Sequence, residues 1–118
     1  MTKKKVMIIE DDEGITDVLR TVIEMYGYEV VVAGDNSIIE DVQNSLPDLL
    51  LMDVWMKECD GRKTCRHLKN QADTKHIPII MVSATRDLIK SARDSGADDF
   101  LEKPFEIEDL VGKIQKLI

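Results

Sequence analysis

Residues 47–53 read Pro47-Asp48-Leu49-Leu50-Leu51-Met52-Asp53, and the reading of positions 49–53 decides the fold. Four apolar residues stand in a row and stop at a carboxylate. A strand covered on one face alternates apolar and polar side chains, whereas a strand covered on both faces is apolar throughout. The run Leu49–Met52 therefore reads as a buried strand of a parallel sheet. An unpaired carboxylate is costly to bury, so Asp53 belongs at the strand end, where something answers its charge.

Similar short runs lie on either side, at Val6–Ile9, Tyr28–Val32, Ile77–Val82 and Asp99–Leu101. Between them the apolar spacing is helical. Ile15, Val18, Leu19, Val22, Ile23 and Tyr26 form one stripe, closed by Gly27. Ile38, Ile39, Val42 and Leu46 form a second, after a cap at Asn36 or Ser37. Ile107, Leu110, Val111, Ile114 and Leu117 form the last. Residues 62–70 (anchored by Cys65 and Leu68) and 86–95 (Leu88, Ile89, Ala92) are placed as helices by topology, since parallel neighbours need a crossover. The expected fold is α/β, five strand–helix units in a doubly wound five-stranded parallel sheet.

The 118 residues make one domain of ordinary size, with 43% hydrophobic and 33% charged residues. That composition excludes a disordered tail and a disulfide-stapled scaffold. Sixteen basic against 23 acidic residues give a net charge of −7, which disfavours direct nucleic-acid binding by this chain. After Met1-Thr2-Lys3-Lys4-Lys5 the apolar run is too short for a secretory signal or a membrane span. Cys59 and Cys65 lack zinc-ligand spacing and read as reduced thiols of a cytoplasmic protein. No linker, repeat or output domain is visible, so 1–118 reads as a single domain with Met1 as its natural start.

The chemistry sits where the strands end. The first runs into Glu10-Asp11-Asp12, the third ends at Asp53, the fourth at Ser83, and the fifth is followed by Lys103-Pro104. In an open parallel sheet these carboxyl ends converge on one crevice. Two carboxylates about 4 Å apart repel by roughly 4 kcal/mol at an effective dielectric near 20. Such a cluster holds a proton or binds a cation, and an all-oxygen donor set favours a hard one, Mg²⁺ (or Mn²⁺). An ion beside Asp53, with Lys103 and Ser83 opposite, suits a transferring phosphoryl group, with Asp53 as nucleophile.

On these residues the chain resembles, over its whole length, the receiver domains of two-component response regulators. The matching stretches are Val6–Asp12, Pro47–Asp53, Met56 through Asp60-Gly61, Pro78–Ala84, Gly96–Phe100 and Lys103-Pro104-Phe105. Each alone is common; the ordered set at fitting intervals is specific. The resemblance implies the flavodoxin-like three-layer sandwich with strand order 2-1-3-4-5. It implies Asp53 as phosphoacceptor, Asp11 as direct metal ligand with Glu10 its acidic neighbour, and Trp55 lending a backbone carbonyl to the metal. It implies Ser83 as the hydroxyl that follows the phosphoryl group, Lys103 as its paired ammonium ahead of a cis Lys103-Pro104 bond, and Phe100 as the aromatic that swings inward. The donor would be phosphohistidine of a histidine kinase or histidine phosphotransfer protein, and the output a protein target reached through the 84–118 face.

Three departures bear on rate and switching. Lys57 stands where similar sequences have Pro, Glu58 where Gly is common, and Phe100 lacks the hydroxyl of a Tyr. Bulky Trp55 is expected to slow loss of the phosphoryl group. The competing reading is a receiver-like interaction scaffold that works without phosphorylation, kept open by Lys57 and Phe100. An aspartate-nucleophile phosphatase is disfavoured because Trp55 occupies the position of its second acid. A phosphate-loop nucleotide site is disfavoured because the first strand runs into acids rather than glycines. His67 and His76 read as surface residues, and Met7, Met52, Met56 and Met81 as core filler.

Overall fold

In the computed structural model of the chain, residues 3–33, 37–56, 59–84 and 87–118 are described, those at 59 and 87–89 by their backbone alone. The expectations at Asn36, Lys57 and Glu58 fall outside the described residues, as do the side chains of Cys59, Leu88 and Ile89. In chain order the elements are β1 (Lys5–Ile9), α1 (Glu13–Met25), β2 (Glu29–Val32), α2 (Ile38–Ser45) and β3 (Leu49–Asp53). They continue with the two-residue strands β4 (Trp55–Met56) and β5 (Cys59–Asp60), α3 (Gly61–Lys69), β6 (Ile79–Ser83), α4 (Asp87–Asp94), β7 (Asp99–Glu102) and α5 (Ile107–Leu117).

β2, β1, β3, β6 and β7 form one parallel sheet in that order, while β4 and β5 pair antiparallel as a separate ribbon. Leaving the ribbon aside, the order is the expected 2-1-3-4-5. Each central strand is apolar on both faces because helices cover both. Val6, Ile8, Leu49, Leu51, Ile80 and Val82 pack on one side with Leu19 and Ile23 of α1 and Leu110 and Ile114 of α5. Met7, Ile9, Leu50, Met52, Ile79 and Met81 pack on the other with Val42, Cys65, Leu68 and Ala92 from α2, α3 and α4. The period of two along a strand thus divides one apolar run between two cores.

Four stripe residues depart from expectation. Tyr26 lies past α1 as its C-cap and is 49% exposed. Leu46 is not on the buried face of α2; it is the C-cap in the left-handed region, φ 47°, and 54% exposed. Val18 is 60% and Ile107 41% exposed, because the apolar arcs of α1 and α5 are wider than their contact with the sheet. The surplus lines an apolar surface groove with Ile15, Val22 and Phe105, and Asp12 sits at its rim. Ser37 occupies the N-cap of α2 but its side chain makes no capping bond. Ile77 lies before β6 rather than in it, yet is buried and closes a turn on the Thr74 carbonyl. His67 and His76 are exposed and Cys65 is a buried free thiol.

Candidate functional site

Strand register assembles the site. Ile9 pairs with Met52 and Asp53 with Val82, so Glu10, just past β1, comes level with Asp53 at the end of β3. Ser83 pairs with Glu102, which sets Lys103 one step beyond the end of β7. The Lys103 N–H donates to the Ser83 carbonyl at 2.8 Å and fixes that corner. The Lys103-Pro104 bond is cis, as expected. Asp12 begins α1 as its N-cap, accepting from the Ile15 N–H at 3.0 Å, which turns the chain away and leaves Glu10 and Asp11 facing the crevice mouth.

One carboxylate oxygen from each of Glu10, Asp11 and Asp53 lies within 4.8 Å of the others. Lys103 Nζ is 3.4 Å from Glu10 Oε1 and 3.7 Å from Asp53 Oδ2. The Glu10 side chain is almost fully buried, and its Oε2 is buried without a hydrogen-bond partner. Its pKa is pushed up to about 8, by burial first and then by the hydrogen bond to Asp53 and its charge, with Lys103 pulling the other way. An oxygen-only donor set of three crowded carboxylates, one with an unanswered oxygen, fits a hard divalent cation. Asp11 is exposed, Asp53 is largely buried and Ser83 is buried.

Sequence reasoning missed two neighbours of this cluster. The first is Gly61, whose position leaves no room for a side chain. A Cβ there would collide with the Asp53 carbonyl oxygen and lie 3.1 Å from Met81 Cε and 3.2 Å from Val54 Cα. The second is Arg62, whose guanidinium lies over the Trp55 ring at 4.8 Å from its centroid. The signal for the first was the dipeptide Asp60-Gly61, an N-cap followed by the one residue that permits close approach; Arg62 left no signal. Phe100, opposite Met81 in the sheet register, is half-buried, with the Arg93 guanidinium 5.1 Å from its ring centroid.

Residues 6–115 match the response regulator receiver domain as a family. The chain belongs to this family. The receiver domain is 33% identical over 117 residues to the DNA-binding dual master transcriptional regulator RpaA of Synechocystis sp., a match covering 97% of this chain and 48% of that protein. The chain thus spans about half the length of the curated relatives it matches. A putative response regulator from Chloroflexus aurantiacus superposes with a TM-score of 0.92 at 28% identity, covering 98% of both chains. At 23% identity the fold alone is shared with the receiver domain of a sensor histidine kinase from Pseudomonas aeruginosa (TM-score 0.89, 98% of both chains), solved with a magnesium ion coordinated in its active site cleft. Receiver domains are the phosphoacceptor switches of two-component signalling, and membership gives this chain that role. Among the described residues no helix is long and apolar enough to cross a membrane.

Proposed function

We propose that residues 1–118 are one receiver domain in which Asp53 is the phosphoacceptor, served by Lys103 and Ser83, with a Mg²⁺ (or Mn²⁺) site built on Asp11, Asp53 and the Trp55 carbonyl and backed by Glu10. The observation that carries this reading is the meeting of the Glu10, Asp11 and Asp53 carboxylates beside the Lys103 ammonium at the carboxyl edge of the sheet. When bound, the cation neutralises charge on the transferring phosphoryl group.

The chain's own residues do the rest. An Asp53 Oδ attacks phosphorus in line with the bond to the donor's imidazole nitrogen. The new P–O bond forms as the P–N bond breaks, and the electron pair leaves with the imidazole. Lys103, within 3.7 Å of Asp53, meets the phosphoryl oxygens on one side. The Ser83 hydroxyl, at the end of β6, donates to another. Hydrolysis reverses the change at Asp53: water attacks phosphorus, the aspartyl oxygen leaves as carboxylate, and inorganic phosphate is released.

A histidine kinase or histidine phosphotransfer protein is the proposed donor. The apolar groove of α1 and α5 supports a protein rather than a small-molecule donor, because it opens beside Asp12, next to Asp11. Output passes through the 84–118 face, as Ser83 follows the phosphoryl group and Phe100 moves into the space that opens. The domain is assigned to the cytoplasm, and its net charge of −7 argues that it does not itself bind nucleic acid. The scaffold reading gains no observation of its own.

The test is intact-mass measurement after incubation with acetyl phosphate, with and without Mg²⁺. A single phosphoryl adduct that needs Mg²⁺ supports the assignment; no adduct in either condition overturns it.

A further inference from the structure

Arg62, the second residue of α3, has every nitrogen of its guanidinium engaged. Nε donates to Asp60 Oδ1 at 2.9 Å and Nη2 to Asp60 Oδ2 at 2.6 Å. Nη1 crosses to α4 and donates to Ser91 Oγ at 2.8 Å. With each nitrogen held at its edge, the group offers its face to the Trp55 ring at 4.8 Å. Only a planar fork can bind two carboxylate oxygens and a hydroxyl at its edges while stacking on an indole, so lysine is no substitute.

Asp60, the other half of this clasp, is itself fixed. It is the N-cap of α3, accepting from the Arg62 N–H at 2.9 Å, and its backbone pairs with Trp55 across the β4–β5 ribbon. The indole is therefore held twice, by its own backbone and by the guanidinium. Ser91 is the point at which this clasp reaches another helix. It lies two residues before Arg93, whose guanidinium covers the Phe100 ring. Helix α4 is thus joined to both aromatic residues at issue, to Phe100 directly and to Trp55 through Arg62.

We propose that Arg62 is a positioning residue that ties the seating of the Trp55 indole, two residues from the phosphoacceptor, to the seating of α4, and thereby sets the lifetime of the phosphoryl group. The proposal rests on the phosphoacceptor reading of Asp53. An indole clasped in one place restricts the approach of hydrolytic water in a constant way. A shift of α4 that breaks the Arg62–Ser91 bond loosens the clasp and frees the ring. Because coupling is reciprocal, a partner that holds α4 in place also holds Trp55.

The experiment uses the full chain, loaded with acetyl phosphate and Mg²⁺ and then freed of donor. Adduct decay is followed by intact mass, and acrylamide quenching of Trp55, the single tryptophan, is measured in parallel. Arg62→Lys and Ser91→Ala should each raise quenching and shorten the adduct half-life, by roughly two- to fivefold, the size of one exposed cation–π contact. Ser91→Ala removes a hydroxyl bonded to Arg62 and is the milder test of folding. In a Trp55→Ala background, Arg62→Lys should no longer change the half-life, because Arg62 acts through the ring. Unchanged half-life and quenching in both single variants overturns the proposal, as does an effect of Arg62→Lys that persists without the indole. A parent chain that forms no adduct overturns the phosphoacceptor reading and this inference with it, whereas a parent that forms one and decays like its variants overturns the inference alone.

Discussion

Lys103 Nζ stands 3.7 Å from Asp53 Oδ2, although every element from β4 to β7 separates the two residues in the chain. The sheet brings them together: β3 and β7 flank β6 on either side, so their carboxyl ends open on the same crevice. The ammonium is placed to meet charge that would build on the phosphoryl group proposed at Asp53. Lys103→Met should lower the initial rate of labelling by acetyl phosphate by roughly 10²-fold, the usual effect of losing one preorganised charge partner. Intact-mass time courses measure it, and circular dichroism checks that the fold is kept.

Asp11 is the most exposed of the three clustered carboxylates and the one proposed to meet the cation directly. Asp11→Asn should weaken Mg²⁺ binding by about tenfold or more, since a neutral amide replaces a charged ligand for a hard ion. Titration of Trp55 fluorescence with MgCl₂ reads this without any phosphoryl donor.

Gly61 governs the path of the chain behind Asp53, the proposed phosphoacceptor. Gly61→Ala forces a methyl against the Asp53 carbonyl, so backbone must shift rather than a flexible side chain. The expected cost is about 1–3 kcal/mol of stability, the range for overpacking, together with slower labelling at Asp53. Urea denaturation gives the first quantity and intact mass the second.

The Arg62 guanidinium beside Asp60 holds its carboxyl below the ordinary carboxylate range, chiefly through side-chain hydrogen bonds. A carboxyl whose pKa falls on folding contributes stability above its unfolded value, near 4, and loses it as pH drops through the lower folded value. Asn remains a good N-cap, so Asp60→Asn isolates the charge. The variant should melt a few degrees below the parent at pH 7, and the gap should close as pH falls below 4. Thermal melts across that pH range measure it.

Much of this was legible in the residues. The Leu49–Met52 run ended in Asp53 because the strand is buried on both faces up to its end, and that pattern alone points to a parallel sheet with chemistry at its edge. The Glu10, Asp11, Asp53 and Lys103 set was legible for the same reason, since each lies at or just beyond a strand end. What stayed hidden depends on three-dimensional approach. Val18 reads as core by spacing, but only the position of α5 shows that it lines a groove instead. Arg62 carries no signal in the sequence, because neither the stack on Trp55 nor the bond to Ser91 has a sequence period.

Asp53 is the proposed carrier of the phosphoryl group. Borohydride reduces an aspartyl phosphate to homoserine, so labelled protein can be reduced, digested and sequenced by tandem mass spectrometry. Homoserine is expected at position 53, formed with Mg²⁺ and acetyl phosphate together and absent from Asp53→Asn. Homoserine at another aspartate, or a phosphoryl group on His67 or His76 with Asp53 intact, would contradict it.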